Sequence, residues 1–291
     1  MNQRCYIEVS RFHNCSSPAG DEQCPCMNHS RIIGIFLVRN EDRFIKQAIN
    51  NVFSFCDQLL LVDHGSSDRT LEILRSCQQQ HPEKVLLYQI SHPRESHDLL
   101  KSLAGTPTWV FGVDGDELYD PERLAIFRRR LLSGEFDHDW MIRGNVLHVD
   151  VLNLIAGTAS GYAAPPSRSI TKLYNFAAIE SWEGETLERL HGGIPQFRPG
   201  VHEQKKRQLQ QEYSWEEAPL RCLHLCFVPR SSCQSSSLRK NIMETYAGGW
   251  LSSLRRFVRR LLCLPETSSW KQQHYARGER HTVEVTPFFK S

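Results

Sequence analysis

The stretch LLLVDHGSSDRTLEIL, from Leu59 to Leu74, decides how the rest of the chain is interpreted. An apolar run ends in Asp63, a small polar turn containing a glycine follows, and a segment with helical spacing comes next. A later stretch, WVFGVDGDELYDPERL, repeats this plan with Asp114 and Asp116 after the apolar run. Acidic side chains therefore follow two separate apolar segments of strand length.

Apolar runs typical of strands that are buried on both faces recur along this part of the chain. They are RIIGIFLV, QLLLVD, KVLLYQI and TWVFGVD. Helix-like segments lie between and after them: NEDRFIKQAINNVFSFC, SDRTLEILRSCQQQ, ESHDLLKSLAG and DPERLAIFRRRLLSG. In the last of these, Asp120 is a natural N-cap and Pro121 suits the first helical position. The alternation predicts an α/β fold with a doubly wound, mostly parallel, Rossmann-like sheet.

The pattern changes in the second half of the chain. The segments DWMIRGNVLHVDV, SITKLYNF and LRCLHLCFV have strand character and are joined by irregular loops. We expect them to complete a mixed sheet. The predicted organisation is an irregular N-terminal extension (1–30), one α/β domain (31–240) and a C-terminal helical extension (241–291).

Residues 250–264, WLSSLRRFVRRLLCL, have the pattern of a basic amphipathic helix. Leucines and aromatic residues share one face, and the arginines lie opposite. Two interpretations stay open. The helix packs against its own domain, or it docks on an anionic membrane surface.

The bulk composition excludes several classes of protein. Lys and Arg total 35 against 33 Asp and Glu, so the charge balance gives no reason to expect a nucleic-acid partner. No apolar run reaches the roughly 18–20 residues needed to span a bilayer. The N-terminal residues also lack the apolar core of a signal peptide. We therefore expect a cytoplasmic protein, with peripheral contact at the inner membrane face if residues 250–264 dock there.

The N-terminal segment also carries several cysteines. The CxC pair in CPCMNH has a weak spacing for zinc, so an irregular extension and a metal site are both open for these cysteines.

Acids at strand ends indicate a ligand held through a cation. Ligands of open α/β sheets bind outside the carboxyl ends of the strands. The segment after the first strand, LVRNED, has neither the GxGxxG turn of a dinucleotide site nor a P-loop. An acidic rim can hold a diphosphate through Mg²⁺ or Mn²⁺, which take carboxylates, phosphate oxygens and water. The competing interpretation is a solvated acidic turn before the helix at Asp120.

Three stretches resemble the signature blocks of family 2 glycosyltransferases: GIFLVRNED, LLLVDHGSSDRTLEIL and WVFGVDGDEL. The resemblance covers 31–240. It implies the GT-A fold, with transfer of a sugar from a nucleotide-diphosphate donor to an acceptor hydroxyl. It also implies inversion at the anomeric carbon and Mn²⁺ or Mg²⁺ as cofactor. The Gln-x-x-Arg-Trp motif of processive members is missing, which argues against a polysaccharide synthase.

The resemblance also implies roles for individual residues. Asn40 and Glu41 match residues that line the nucleotide pocket, and Asp63 matches the acid that binds the nucleobase or ribose. Asp114 matches an acid near the ribose and the metal, and Asp116 matches the metal ligand itself. The other implied positions are Arg94 near the donor, His224 as a further metal ligand, and Arg230 and Lys240 facing the diphosphate.

The general base that takes the proton of the acceptor hydroxyl is predicted in the second half of the chain. We choose Glu203, in RPGVHEQKK, because related proteins carry a similar His-Glu pair in that region. A solvated glutamate before a basic run is the alternative. Spacing does not separate Glu203 from its rivals, which are Asp150, Glu180, Glu183 and Glu185.

The acceptor is open among glycans, lipid-linked sugars and small molecules. Two other functions compete with glycosyl transfer. A sugar-nucleotide nucleotidyltransferase would need a glycine- and arginine-rich loop after the first strand, which RNEDRF matches poorly. An inactive carbohydrate-binding or scaffold module would have no use for the acids that hold a metal.

The membrane interpretation of residues 250–264 has a direct test. If this segment docks on anionic lipid, its deletion abolishes co-sedimentation with anionic liposomes, because the apolar face and the arginines supply the attraction. Co-sedimentation that is unchanged by the deletion would remove the membrane interpretation.

Overall fold

The first half of the chain alternates strands with helices, as the sequence predicts. The computed structural model describes residues 30–184, 190, 192–202, 205–233 and 270–289. The elements of this half are β1 (Arg31–Val38), α1 (Ile45–Phe53), β2 (Gln58–Asp63), α2 (Thr70–Gln80), β3 (Val85–Gln89), two 3₁₀ helices (Pro93–His97 and Lys101–Leu103), β4 (Thr108–Val113), β5 (Glu117–Tyr119) and α3 (Pro121–Leu132).

The second half is built mainly from strands. Its elements are β6 (Met141–Arg143), β7 (Asn145–Asn153), β8 (Thr158–Ala163), β9 (Lys172–Asn175), a 3₁₀ helix (Phe176–Ala178), β10 (Ile179–Gly184), β11 (Gly193–Phe197), β12 (Lys206–Gln208), α4 (Leu209–Glu212) and β13 (Arg221–His224). The described C-terminal residues form α5 (Trp270–Tyr275), β14 (Arg280–Glu284) and a last 3₁₀ helix (Thr286–Phe288).

The central sheet has seven strands in the order β12-β6-β9-β4-β1-β2-β3. Strands β1 to β4 are mutually parallel, with β1 between β2 and β4. Strand β9 runs antiparallel to both β4 and β6, and β12 runs parallel to β6. The predicted α/β fold with a doubly wound, mostly parallel sheet is confirmed.

A second sheet of five strands has the order β14-β8-β7-β13-β5. Strands β7 and β13 are parallel and the other pairs are antiparallel. The mixed sheet predicted for the second half is therefore present. Part of it comes from the C-terminal segment predicted as helical, because that segment supplies β14 as well as the helix α5.

The two faces of β1 pack against different layers. Residues such as Ile32 and Phe36 belong to a core shared with α1, α3 and the second sheet. The alternate residues Ile33 and Ile35 belong to a core covered by the 3₁₀ segment and by Trp182 of β10. A strand buried on both faces reads as a continuous apolar run, which is why RIIGIFLV shows no alternation.

One predicted helix is wrong. The segment ESHDLLKSLAG forms two 3₁₀ turns and no α-helix, with i→i+3 bonds from Leu100 N to His97 O and from Leu103 N to Leu100 O. Eclipsed i and i+3 side chains place Leu100 and Leu103 together on the sheet. The predicted stop is correct, because Gly105 follows with a φ of +77°.

Among the described residues, no helix combines the length and the apolar character that crossing a membrane requires. Residues 1–29 and 250–264 lie outside the described part of the chain. The zinc and membrane interpretations of these segments stay predictions.

Helix α3 begins as the sequence predicts, and its cap is also tied to the second sheet. The Asp120 Oδ1 atom accepts from the backbone N–H groups of Glu122 and Arg123. The Oδ2 atom accepts from Nε and Nη2 of Arg221, at 3.1 and 2.7 Å. One carboxylate thus joins α3 to β13.

We expect Asp120→Ala to lower the free energy of unfolding by about 2–4 kcal/mol. The cap contributes about 1 kcal/mol, and the pair of hydrogen bonds from the Arg221 guanidinium together about 1.5–3 kcal/mol. Urea unfolding followed by circular dichroism measures the change. The control is Glu135→Ala, which removes a more exposed ion pair with Arg130 and should cost less than about 1 kcal/mol. Equal losses in the two variants would contradict this role of Asp120.

Candidate active site

The acids predicted at the strand ends lie together at the carboxyl ends of the central parallel strands. Asp63 ends β2 and pairs in register with Val38, the last residue of β1. Asp114 follows Val113, which pairs with Phe36 on the other side of β1. Neighbouring strands are about 4.8 Å apart, so Asp63 and Asp114 lie about 10 Å apart across β1. The two acidic motifs therefore lie at the same end of the parallel strands, on either side of β1.

Asn40 connects the loops after β1 and β2. Its Oδ1 accepts from the Ser67 backbone N–H at 2.7 Å, and its backbone N–H donates to Ser66 Oγ at 3.0 Å. The backbone of Asn40 has a φ of +54°, which asparagine tolerates better than most residues. Asn40 therefore fixes the relative positions of the loops that carry Glu41 and Asp63.

Asp63 is almost fully buried, at 2% exposed. Its Oδ2 accepts from the backbone N–H groups of Gly65 and Ser66, at 3.1 and 3.2 Å. Its Oδ1 is buried and has no hydrogen-bond partner among the described residues. A buried carboxylate oxygen without a donor is costly, so this atom is a candidate acceptor for a ligand donor.

Gly115 separates the two acids of the DGD motif for a steric reason. A Cβ atom at this position would lie 2.1 Å from Glu41 Oε2 and 3.1 Å from Ile45 Cδ1. The Glu41 carboxylate therefore packs directly against the backbone of Gly115. Its other oxygen, Oε1, lies 3.3 Å from Arg230 Nη1, so a shift of the carboxylate away from position 115 would disturb that ion pair.

Asp116 is the most buried acid of the cluster, with no exposed surface. Its Oδ2 accepts from Arg230 Nη1 at 2.5 Å and lies 3.7 Å from His224 Nε2. The same Nη1 atom lies 3.3 Å from Glu41 Oε1. Arg230 thus bridges the two carboxylates, and the structure brings Glu41, Asp116, His224 and Arg230 together.

Asp116 is ionised in this setting. Its complete burial would raise the pKa of the carboxyl, but the charge of the Arg230 guanidinium lowers it, and the net pKa lies below the ordinary value. The Oδ1 atom of Asp116 is buried and has no hydrogen-bond partner among the described residues. A carboxylate oxygen in this state is suited to a cation.

Asp114 is held by a lysine that the sequence reasoning missed. Lys172 Nζ lies 2.6 Å from Asp114 Oδ2 and 3.6 Å from Glu117 Oε1. Glu117 is fully buried, and its Oε2 accepts from the backbone N–H of Asp114 at 3.1 Å. A lysine inside the predicted strand SITKLYNF was the available signal, since a lysine in a buried strand needs an acidic partner.

Two buried histidines lie behind Asp116. His148 Nδ1 is 2.8 Å from His224 Nδ1, and His148 Nε2 is 2.8 Å from the backbone O of Arg168. Cys226 Sγ is 4.0 Å from His148 Nδ1. Burial lowers the pKa of His148 to about 4 and lowers the pKa of His224 well below its usual value, so both rings are neutral near pH 7. The sequence reasoning did not single out His148.

Asp116 and His224 are the side chains that can hold a metal ion in this cluster, with Asp114 nearby. A carboxylate with an imidazole suits Mn²⁺ better than Mg²⁺, which prefers oxygen ligands. The buried, unpartnered Oδ1 of Asp116 fits such an ion. The residues present are therefore compatible with the Mn²⁺ or Mg²⁺ that the sequence predicts.

The described contacts do not join the other described candidates, Arg94 and three of the rival bases, to this cluster. Arg94 is exposed on the first 3₁₀ helix, and the described contacts do not join it to the acids. Glu203, Lys240 and the rival base Glu185 lie outside the described residues. Of the other rivals, Asp150 is paired with Arg280 at 3.0 Å, and Glu180 and Glu183 are exposed on β10.

Gly115→Ala should damage the cluster, because its Cβ would push the Glu41 carboxylate away from Arg230. We expect a loss of about 1–3 kcal/mol in the free energy of unfolding, typical of an overpacked site, and weaker Mn²⁺ binding. Urea unfolding and a Mn²⁺ titration measure the two effects.

A double-mutant cycle tests the cause of this loss. In the background Glu41→Ala, the clashing carboxylate is gone, so Gly115→Ala should cost much less. An equal cost in both backgrounds would contradict the contact between Gly115 and Glu41 as the cause.

Comparison with known proteins gives one curated relative at low identity. It is an uncharacterised glycosyltransferase of Nostoc sp., 23% identical over 151 residues, which cover 45% of this chain and 47% of that protein. The chain thus spans about half the length of the curated relative it matches. No protein-family model matches the sequence.

Solved structures resemble the chain only weakly. Glucosyl-3-phosphoglycerate synthase from Mycobacterium tuberculosis, in complex with Mn²⁺ and UDP-glucose, is 18% identical, with a TM-score of 0.28 over 41% of this chain and 44% of that one. A mycobacterial protein has a TM-score of 0.29 over 41% of each chain. Scores of this size support no inference. Over 45% of its length the chain is therefore similar to a glycosyltransferase, in agreement with the sequence motifs.

Proposed function

We propose that the protein is a metal-dependent glycosyltransferase that moves a sugar from a nucleotide-diphosphate donor to an acceptor hydroxyl. One observation carries the proposal. The buried Asp116 carboxylate has one oxygen without a partner, and Arg230 and His224 lie at its other oxygen. A buried carboxylate with an unused oxygen, beside a guanidinium and a neutral imidazole, suits a cation and a diphosphate together.

The nucleotide is proposed to bind along the edge between Asp63 and Asp114. The unpartnered Asp63 Oδ1 can accept a hydrogen bond from the nucleobase or the ribose. The loop around Asn40 and Ser67 borders this position, and it contains no glycine-rich turn to hold phosphates. The diphosphate is therefore assigned to the acidic cluster, where a cation is needed.

The negative charge of the departing diphosphate is the main electrostatic task of the site. A bound Mn²⁺ or Mg²⁺ supplies Lewis-acid stabilisation of that charge. Among the described residues, Arg230 is the cation closest to Asp116, and its planar guanidinium can pair with phosphate oxygens. Lys172 neutralises Asp114 and Glu117, so the acids do not repel the donor with their full charge.

The proposed chemical step is an in-line displacement with inversion. The acceptor oxygen bonds to the anomeric carbon, the bond from that carbon to the diphosphate breaks, and the hydroxyl proton passes to a general base. Glu203 stays our proposed base, and the support for it and for inversion is the sequence resemblance. The anomeric configuration of the product, measured by NMR, tests inversion.

The acceptor is proposed to be a glycan, a lipid-linked sugar or a small molecule.

In Asp116→Asn, we expect the thermal stabilisation by nucleotide and the turnover to fall together. Wild-type protein should be stabilised thermally by UDP or GDP with Mn²⁺, by mass action on the folded state. It should also slowly hydrolyse the matching nucleotide sugar. The variant should lose the metal-dependent shift and about 10²–10³-fold in kcat/KM, since the charge on the leaving group loses its partner.

Asp57→Asn is the matched control. It makes the same substitution at the opposite edge of the sheet, where Asp57 pairs with Arg128 at 2.6 Å. This variant should keep the Mn²⁺-dependent shift. Formation of UTP or GTP from the nucleotide sugar and pyrophosphate would instead support a nucleotidyltransferase. Metal-independent glycan binding without turnover would support a binding module.

A further inference from the structure

We propose that His148 is a positioning residue that fixes the tautomer of His224, so that the unprotonated Nε2 of His224 faces Asp116 and is ready to bind a metal ion. The inference rests on the proposed function, because it deepens the metal site that the function requires. It assigns a role to a residue that does not itself contact the metal.

The hydrogen-bond chain begins at a backbone carbonyl. His148 Nε2 lies 2.8 Å from the carbonyl oxygen of Arg168. A carbonyl oxygen only accepts, so the proton of the neutral imidazole must be on Nε2. The Nδ1 atom of His148 is then left with a lone pair and can act only as an acceptor.

The second link transfers this constraint to His224. The two Nδ1 atoms lie 2.8 Å apart, which is a hydrogen-bond distance. Because His148 Nδ1 is an acceptor, His224 Nδ1 must donate. A neutral His224 then carries its lone pair on Nε2, the atom that lies 3.7 Å from Asp116 Oδ2.

The distance from His224 to Asp116 agrees with this assignment. At 3.7 Å, His224 Nε2 is too far from Asp116 Oδ2 for an N–H···O hydrogen bond. A proton on Nε2 would instead draw the ring towards the carboxylate. Both rings are also buried, His148 with no exposed surface and His224 at 5% exposed, which disfavours a second proton on either ring.

The two rings are held in place by the second sheet. Strands β7 and β13 are parallel, and His148 pairs in register with His224. Gly161 of β8 lies so close that a Cβ atom would be 2.1 Å from the His148 carbonyl oxygen. The Tyr275 ring stacks on His148 at 4.3 Å with an interplanar angle of 6°. The geometry of the chain is therefore set by packing before any metal arrives.

A competing arrangement is a second metal site. Nitrogen and sulfur atoms of His148, His224 and Cys226 all lie within 4.8 Å of one another. The observed spacing favours the hydrogen-bond chain, because 2.8 Å between the Nδ1 atoms is shorter than two ligands on a tetrahedral zinc ion would allow, with Zn–N near 2.0–2.1 Å. Burial also raises the pKa of the Cys226 thiol, which keeps it protonated. Zinc bound to the purified protein is measured as well, because it would support this competing arrangement.

Two substitutions of similar size isolate the acceptor. His148→Asn and His148→Leu both lose the contact with the Arg168 carbonyl and the stacking with Tyr275. The asparagine Oδ1 takes the place of the imidazole Nδ1 and can still accept from His224. Leucine puts a methyl group there. The difference between the variants therefore reports on the hydrogen bond and not on packing.

The first measurement is the tautomer of His224 in metal-free protein. Two-bond ¹H–¹⁵N NMR of ¹⁵N-histidine-labelled protein distinguishes a protonated from an unprotonated ring nitrogen, and His224→Asn identifies the signals. We expect the proton on Nδ1 in the wild type and in His148→Asn. In His148→Leu, we expect a mixture of tautomers.

The second measurement is the affinity for Mn²⁺ alone, from the electron paramagnetic resonance signal of free Mn²⁺. We expect His148→Leu to bind Mn²⁺ about 10–100-fold more weakly, the range for lost partners of metal ligands, and His148→Asn to recover most of the affinity. Circular dichroism verifies that both variants fold. If the leucine variant does not fold, the wild-type tautomer still decides the question.

Three results would overturn the inference. They are a proton on His224 Nε2 in the wild type, equal Mn²⁺ affinity in the leucine variant and the wild type, and stoichiometric zinc that Cys226→Ser removes. Failure of the proposed function has a different signature. In that case, Asp116→Asn would leave any Mn²⁺ binding of the protein unchanged. The tautomer measurement in metal-free protein would still accept or reject the hydrogen-bond chain.

Discussion

The structure depends on balancing negative charge that is buried at one edge of the central sheet. Asp116 and Glu117 have no exposed surface, and Glu41 is 6% exposed. Buried carboxylates are tolerated only when cations or hydrogen-bond donors offset the loss of water. Arg230 supplies the positive charge for Glu41 and Asp116, and Lys172 supplies it for Asp114 and Glu117. A cation from a distant part of the sequence therefore holds each pair of acids.

The position of Arg230 is itself set by contacts made elsewhere. The backbone N–H of Arg43 donates to the Arg230 carbonyl at 3.1 Å, which ties this segment to the loop after β1. The next residue, Ser231, donates through its hydroxyl to Asp68 Oδ2 at 2.5 Å. Asp68 Oδ1 also accepts from the backbone N–H of Thr70, the first residue of α2, at 2.9 Å. Asp68 therefore supports both the start of α2 and the segment that carries Arg230.

Sequence patterns predicted the elements that depend on local chemistry. Asp120 and Pro121 start α3 as expected, because a cap and a proline at the first position act within one turn. The helix predicted for ESHDLLKSLAG was wrong, since its leucines fit both an α-helix and two 3₁₀ turns on the sheet. Local spacing does not distinguish these outcomes, and packing of Leu100 and Leu103 against the sheet decides between them.

The sequence by itself determined the parallel sheet and the edge that carries the acids. Apolar runs ending in Asp63 and Asp114 place both at the carboxyl ends of parallel strands, whatever the distant contacts are. Only the tertiary structure decided which partners these acids have. Lys172 and His148 reach the site from β9 and β7, and a linear sequence carries no record of which distant strands become neighbours. Their roles follow from buried charge and from the direction of hydrogen bonds, which exist only once the strands are paired.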